Sequence, residues 1–147
     1  MSFTLRSALP SESDLAFEIK RDAMGPYIIA RWGWDEAYQR NHHLRHWAEK
    51  PWQFICIDSE IVGTVSIDWK PDHLQFGEFY IVASNRGRGL GSRVLKHTLQ
   101  QADARNTETR LEILKWNPVR SLYERHGFRV VRENDIHYFA VRQPNAA

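Results

Sequence analysis

The sequence predicts a mixed α/β fold on a mostly antiparallel sheet, and three observations predict it. Runs suited to strands recur along the whole chain, and neighbouring pairs of them sit close enough to form hairpins. Between the runs lie longer segments with amphipathic spacing and clear helix start and stop residues. Length sets the scale: 147 residues make one domain, 1–147, with no internal repeat, low-complexity segment or linker.

The elements follow in order. Phe3–Ala8 alternates and reads as a strand. Ser11 stands three residues before Asp14, which resembles a capping box; the helix it starts should run to about Met24 and stop at Gly25-Pro26. A second helix is predicted from Asp35 to Glu49, ended by Pro51. Trp52–Asp58 and Ile61–Trp69 flank Ser59-Glu60 and read as a hairpin; Pro71-Asp72 turns the chain into the strand Leu74–Val82. A helix opens near Gly89 and runs to about Ala104, with Leu90, Val94, Leu95, Leu99 and Ala102 close to one face. Arg110–Trp116 is a strand. The next helix has Asn117 as N-cap, Pro118 at its first position and Gly127 just past its end. Phe128–Arg132 and Ile136–Val141 close the chain as a hairpin. The order is β-α-α-β-β-β-α-β-α-β-β, with helical crossovers covering the sheet.

Composition narrows the function. With 42% hydrophobic and 26% charged residues the chain is globular, not disordered, collagenous or coiled coil. Cys56 is the single cysteine, which excludes a disulfide scaffold and reads as a small buried hydrophobe in an apolar strand. No apolar run reaches the ~20 residues of a membrane span, and the N-terminus lacks signal-peptide features, so the cytoplasm is the expected location. A formal net charge of +2 is too small to argue for nucleic acid. Four of the six tryptophans fall between Trp32 and Trp52, a concentration suited to a core edge or a ligand wall.

The strongest chemical signal is Arg86-Gly87-Arg88-Gly89-Leu90-Gly91-Ser92, after an apolar strand and at the opening of a helix. Glycines let the backbone turn tightly and approach a ligand. The N–H groups of the first helical turn then converge on an anion, with Arg86 and Arg88 adding charge. The run is a pyrophosphate cradle in physical terms, or else a plain glycine-rich turn. It lacks the Lys-Ser/Thr ending of a P-loop, and it matches a dinucleotide fingerprint only in part and too late in the chain.

Ile81-x-x-x-x-Arg86-x-x-Gly89-x-Gly91 resembles the acetyl-CoA-binding signature of the GNAT N-acetyltransferase superfamily. Asn117-Pro118-Val119-Arg120-Ser121-Leu122-Tyr123-Glu124-Arg125-His126-Gly127-Phe128 resembles that superfamily's "N…LYE..GF" segment. The element order is similar from Phe3 to Val141; Ala83 departs from the proline many relatives have after the strand. The resemblance implies the acyl-CoA N-acyltransferase fold, with helices on both faces of the sheet, and an acetyl-CoA-dependent transfer to a primary amine by direct attack in a ternary complex. It implies that the central strand splays from its neighbour and that pantetheine lies in the gap. Residues 86–92 would hold the pyrophosphate, and backbone groups of Ile81 and Val82 would meet the acetyl and pantetheine amides, one N–H stabilising the oxyanion. Asn117 would bond the pantetheine arm, besides capping its helix. Tyr123 would donate a proton or hydrogen bond to the departing thiolate, or else serve as a core aromatic. A non-catalytic acyl-CoA-binding or regulatory module on the same fold is the alternative, and a dinucleotide-binding oxidoreductase domain is a third reading.

An amine must lose a proton before it attacks, and a lysine-like amine (pKa ~10.4) is almost wholly protonated at neutral pH. Glu78, in the middle of a mostly apolar strand, is the candidate base, directly or through water; an ion-paired structural glutamate is the competing reading. Alternation places it with Phe76, Tyr80 and Val82 unless a bulge intervenes. Burial is expected to raise its pKa towards ~6–7. Tyr27, Trp32, Trp34, Asp35, Glu36 and Tyr38 mix rings with acids and form a candidate acceptor wall, since both favour an ammonium group. The competing reading is a helix packing its rings on the sheet. His42, His43 and His46 read as a solvated helix face and not as metal ligands, and no metal is expected. The expected partner is a small-molecule or peptide amine. The sequence leaves its identity, the acyl length and the oligomeric state open, a homodimer included.

Overall fold

The computed structural model of the chain describes residues 2–115 and 117–145. Strand β1 (Thr4–Ser7) is followed by a 3-10 turn at Pro10–Glu12. Glu12, not Ser11, supplies the capping interaction: its carboxylate accepts the Leu9 N–H at 2.7 Å and the paired Arg6 guanidinium at 2.9 Å. Helix α1 then runs Ser13–Trp32, straight through the predicted stop at Gly25-Pro26. Proline costs a helix interior the N–H it lacks and a ring clash with the carbonyl four residues back, and it also crowds the residue before it. Here that residue is glycine, which has no Cβ, and Ile28 beyond it is buried, so packing carries the helix on to Gly33 (φ 76°), whose N–H closes on Ile29 O at 3.1 Å.

Helix α2 (Glu36–Glu49) starts where the sequence puts it, with Asp35 accepting the Tyr38 N–H at 3.1 Å. Strands β2 (Gln53–Ile57) and β3 (Glu60–Trp69) form the hairpin. Its turn is Asp58-Ser59, one residue earlier than predicted; both have positive φ (50° and 68°), the sense that matches strand twist. Strand β4 spans Leu74–Ile81, helix α3 Leu90–Ala104 and strand β5 Thr109–Leu114. The predicted end of β5 at Trp116 lies outside the described residues. Helix α4 is Arg120–Arg125, and β6 (Arg129–Glu133) with β7 (His137–Arg142) closes the chain.

The strand order is β1-β2-β3-β4-β5-β7-β6. The β1–β2, β2–β3, β5–β7 and β6–β7 ladders are antiparallel, and β4 pairs in parallel with β5 at Leu74–Thr109 and Gln75–Arg110. Contacts group the chain into two compact units: the described residues up to Ser66 with Glu78–Arg88, and Ile67–Gly77 with the described residues from Gly89 on. In the first, Ala16, Ile19, Trp52, Phe54 and Cys56 make a buried cluster, and Cys56 is a free buried thiol as expected. In the second, α3 buries Leu90, Val94, Leu95, Leu99 and Ala102, the face read from the sequence. There Arg142, 5% exposed, grips Asp103 with two bonds of 2.8 and 3.1 Å.

Candidate active site

The glycine loop begins just after β4. A short 3-10 turn, Ala83–Asn85, is tied to α1 by the Ala83 N–H to Asp22 Oδ2 bond at 2.8 Å. Gly87 (φ 77°) and Gly89 (φ 76°) both take the left-handed conformation that side chains disfavour, and neither has any atom within 4 Å of where a Cβ would stand. Gly89 caps α3 without a side chain, and the intrahelical ladder opens with Arg93 N–H to Gly89 O at 3.1 Å. Leu90, Gly91 and Ser92 stand ahead of that bond, so their N–H groups have no carbonyl of the helix to meet. Arg88 is exposed. Arg86 is turned back instead: its Nε donates to Ile81 O at 2.9 Å, and it reaches Asp22 at 4.0 Å. It therefore also braces the loop. Ser92 donates to His126 Nε2 at 3.0 Å, because Nδ1 of that ring is committed to Leu122 O at 2.8 Å.

The backbone of Val82 is already employed. Its N–H goes to Val62 O at 2.9 Å and its carbonyl accepts Asn85 N–H at 2.9 Å. Successive N–H groups of a strand point to opposite edges, so the N–H of Ile81 points away from β3. Gly63 of β3 permits this close approach; a Cβ there would strike the Tyr80 carbonyl.

Glu78 departs from the expectation in two respects. Its φ is 47°, so β4 bulges at this residue and simple alternation does not set its facing. Thr64 Oγ1 fixes the bulge by donating to Glu78 O at 2.8 Å. The side chain is 5% exposed and surrounded by donors: His46 Nδ1 at 2.8 Å and Lys50 Nζ at 3.4 Å on Oε1, and Tyr80 Oη at 3.3 Å on Oε2. Burial pushes its pKa up, but the His46 hydrogen bond and the charges of Lys20 and Lys50 pull harder, down to about 2. The predicted rise towards ~6–7 is therefore overturned: Glu78 is buried, but among cations.

Lys20, 7% exposed on α1, belongs to this cluster; burial lowers its pKa and Glu78 raises it. His42 is held at about 4, by burial first and then by Lys20 and His46. Nor are the histidines a solvated face. His43 is 2% exposed, packs on Phe17, Trp47 and Trp52, and gives its Nε2 proton to Ser13 O at 2.9 Å. His46 joins Glu78. The pattern that could have revealed this was visible, since His42, His46 and Lys50 recur every four residues on one helical face. The sequence did not show that β4 lies opposite that face, so Lys20, His46 and Lys50 were missed.

The candidate acceptor wall is partly claimed by the fold. Glu36 accepts from Trp34 Nε1 at 2.9 Å, from Arg40 Nε at 2.7 Å and from Arg21. Asp35 caps α2, and Arg21 covers the Trp34 ring at 5.2 Å. Trp32 and Tyr38 are 50% and 60% exposed, and Tyr27 is half-buried.

In the second unit, Tyr123 lies on α4, 7% exposed, edge-on to Phe76 (6.5 Å) and Phe128 (5.7 Å). Burial pushes its pKa well above the ordinary phenol range, so the hydroxyl keeps its proton. A Schellman turn ends the helix: Phe128 N–H to Tyr123 O at 3.1 Å and Gly127 (φ 94°) N–H to Glu124 O at 3.1 Å. Asn117 is not the N-cap, because α4 starts two residues later than predicted, after Val119; its Oδ1 accepts the Val119 N–H at 3.2 Å in a local turn. Pro118 accordingly precedes the helix instead of opening it.

Several solved structures share this architecture. They include the PaiA N-acetyltransferase of Thermoplasma acidophilum in complex with coenzyme A (TM-score 0.74, 16% identity, 97% of this chain and 99% of that one). An acetyltransferase of Thermus thermophilus superimposes with a TM-score of 0.76 at 15% identity, 97% of each chain being covered. The ribosomal-protein-S18-alanine N-acetyltransferase of Escherichia coli gives 0.72 at 15% identity, over 99% and 96%. No curated protein matches the chain by sequence. The fold is thus that of the acyl-CoA N-acyltransferases. The sequence model of the Acetyltransferase (GNAT) family matches residues 15–128, and the chain belongs to that family.

Proposed function

We propose that the protein is an acetyl-CoA-dependent N-acetyltransferase whose acceptor is a primary amine, attacking directly in a ternary complex. The observation that carries this reading is the loop 86–92. Two left-handed glycines with open space around them lead into the unpaired N–H groups of α3, a geometry suited to the pyrophosphate of a CoA donor. Arg88 adds charge there, and the half-buried Asn117 remains the residue proposed for the pantetheine arm.

Direct attack needs an oxyanion donor, a group that assists the leaving thiolate and a proton acceptor. The Ile81 N–H, directed away from β3, is the donor we assign. Tyr123 holds its proton across the neutral range, so its role is a hydrogen bond to sulfur more than full proton transfer. Tyr27, Trp32 and Tyr38 are the rings proposed for the acceptor, with Tyr38 also stacked on His42, while Trp34, Asp35 and Glu36 also serve the fold. The two units are proposed to act as one domain. No helix among the described residues is long and apolar enough to cross a membrane.

The test is CoA release from acetyl-CoA with a panel of spermidine, an aminoglycoside, free amino acids and a short peptide with a free N-terminus. Release that depends on one amine class supports the reading. Acetyl-CoA binding with no release above the amine-free rate would favour the non-catalytic module.

A further inference from the structure

We propose that His46 is the proton acceptor of the transfer, and that Glu78 is a positioning residue that fixes its ring with Nε2 as the available lone pair. The inference rests on the amine-acetylation reading above and names the base within it.

The geometry decides between the two residues. Glu78 is ionised and can only accept, so the 2.8 Å contact to His46 requires the proton on Nδ1. In the neutral ring the lone pair is then on Nε2, which has no hydrogen-bond partner among the described residues. The His46 side chain is 28% exposed against 5% for Glu78, so the imidazole can reach an acceptor or a bridging water. A carboxylate held at about 2 by its neighbours is a weak base at neutral pH, whereas imidazole is the side chain suited to that range. Three further contacts fix the ring's helix and the bulge. Trp52 Nε1 donates to His46 O at 3.1 Å, the His42 ring centroid lies 4.1 Å from that of His46, and Thr64 pins Glu78 O. The left-handed backbone of Glu78 is the kind of strain that functional sites retain.

The step balances as follows. The amine lone pair forms the C–N bond to the thioester carbonyl carbon, and the carbonyl pair moves to oxygen. The adduct nitrogen gives one proton to His46 Nε2. The carbonyl re-forms as the C–S bond breaks, its electrons leaving on sulfur. The thiolate takes a proton from solvent, and the imidazolium returns one to it.

The experiment measures CoA release at pH 7, with the panel amine that supports turnover, for wild type and His46→Ala. We expect His46→Ala to lose roughly 100-fold, the low end for general-base catalysis, with the KM for acetyl-CoA unchanged and activity returning as free imidazole is added. Nitrogen-15 shifts of the wild-type His46 ring should show the Nδ1–H tautomer, which tests the dyad without any variant. Wild-type activity in His46→Ala, loss without imidazole rescue, or an Nε2–H ring overturns the inference while amine acetylation stands. A wild-type protein that releases CoA with no amine overturns both.

Discussion

The turn at Gly87–Gly89, bent by two left-handed glycines with open space beside each, leaves Arg88 exposed and the first backbone donors of α3 without helical partners. Glu78, five residues before Ala83, draws charge inward: its carboxylate is met by α2 and β4 side chains and by the field of Lys20 on α1. Both places have positive φ, but for different reasons. In the loop glycine supplies it at no steric cost, and the conformation leaves open space beside the backbone. At Glu78 a side chain is forced into it, and the surrounding hydrogen bonds hold it there. An open loop is judged by what enters it, and a filled cluster by what fails when one member is removed.

The largest effect is expected from breaking the filled cluster. Glu78→Leu would strip His46 and Lys50 of their shared carboxylate and the buried Lys20 of a favourable field, a loss of about 3 kcal/mol, the low end for breaking a buried pair. The carboxyl, held at about 2 against an ordinary 4.5, also makes stability depend on pH. The folded pKa is the lower one, so this stability is complete above about 4.5 and drains away as pH falls towards 2. It amounts to about 3 kcal/mol by linkage. Chemical denaturation of wild type and Glu78→Gln between pH 2 and 7 should converge at the acid end. A constant gap would place the variant's loss in packing instead of charge.

The open loop should show the reverse pattern: a smaller change in stability and a larger change in binding. Gly89→Val forces a β-branched residue to φ 76° and fills the open side of the loop. Left-handed backbone costs such a residue roughly 1–2 kcal/mol of stability with or without ligand, while the blocked approach should weaken acetyl-CoA binding roughly 100-fold. Arg88→Ala removes one exposed charge, worth roughly 1 kcal/mol at a helix N-terminus, and should cost under about tenfold. Calorimetry on the two variants ranks them. Near-wild-type binding by Gly89→Val would remove the loop from the cofactor site.

The contrast also explains what could be read in the sequence. Local form carried by consecutive residues was legible: the glycine turn, the start of α2 beside Asp35, the Gly127 stop and the apolar face of α3 all follow from local spacing. Chemistry carried by distant residues was not. Glu78 stood out as an acid on an apolar strand, but its neighbours lie 28 to 58 positions away on two helices, and they reverse the expected pKa. Pro26 misled for a related reason, because a local stop signal lost to the burial of Ile28 beyond it. Asn117 failed at short range: an Asx turn and an N-cap use the same side chain and differ by the few residues before the helix begins.

Tyr123 offers the finest comparison, since packing and catalysis ask for the same ring and differ only at the hydroxyl. The ring is edge-on to Phe76 and Phe128, contacts that phenylalanine would keep. Tyr123→Phe should therefore fold with near-wild-type stability and bind acetyl-CoA normally. Burial pushes the hydroxyl's pKa up, which makes it a poor proton donor and a durable hydrogen-bond donor. Thiolate is a fair leaving group even without a proton, its parent thiol having a pKa of ~8.5. The loss in kcat should thus be about tenfold, below the ~10²–10⁴-fold range of general acid catalysis. It should be uniform between pH 6 and 9, because a group that never ionises there adds no limb to the profile. A loss that grows with pH would mean that the tyrosine gives up its proton. Wild-type turnover would leave it a core aromatic alone.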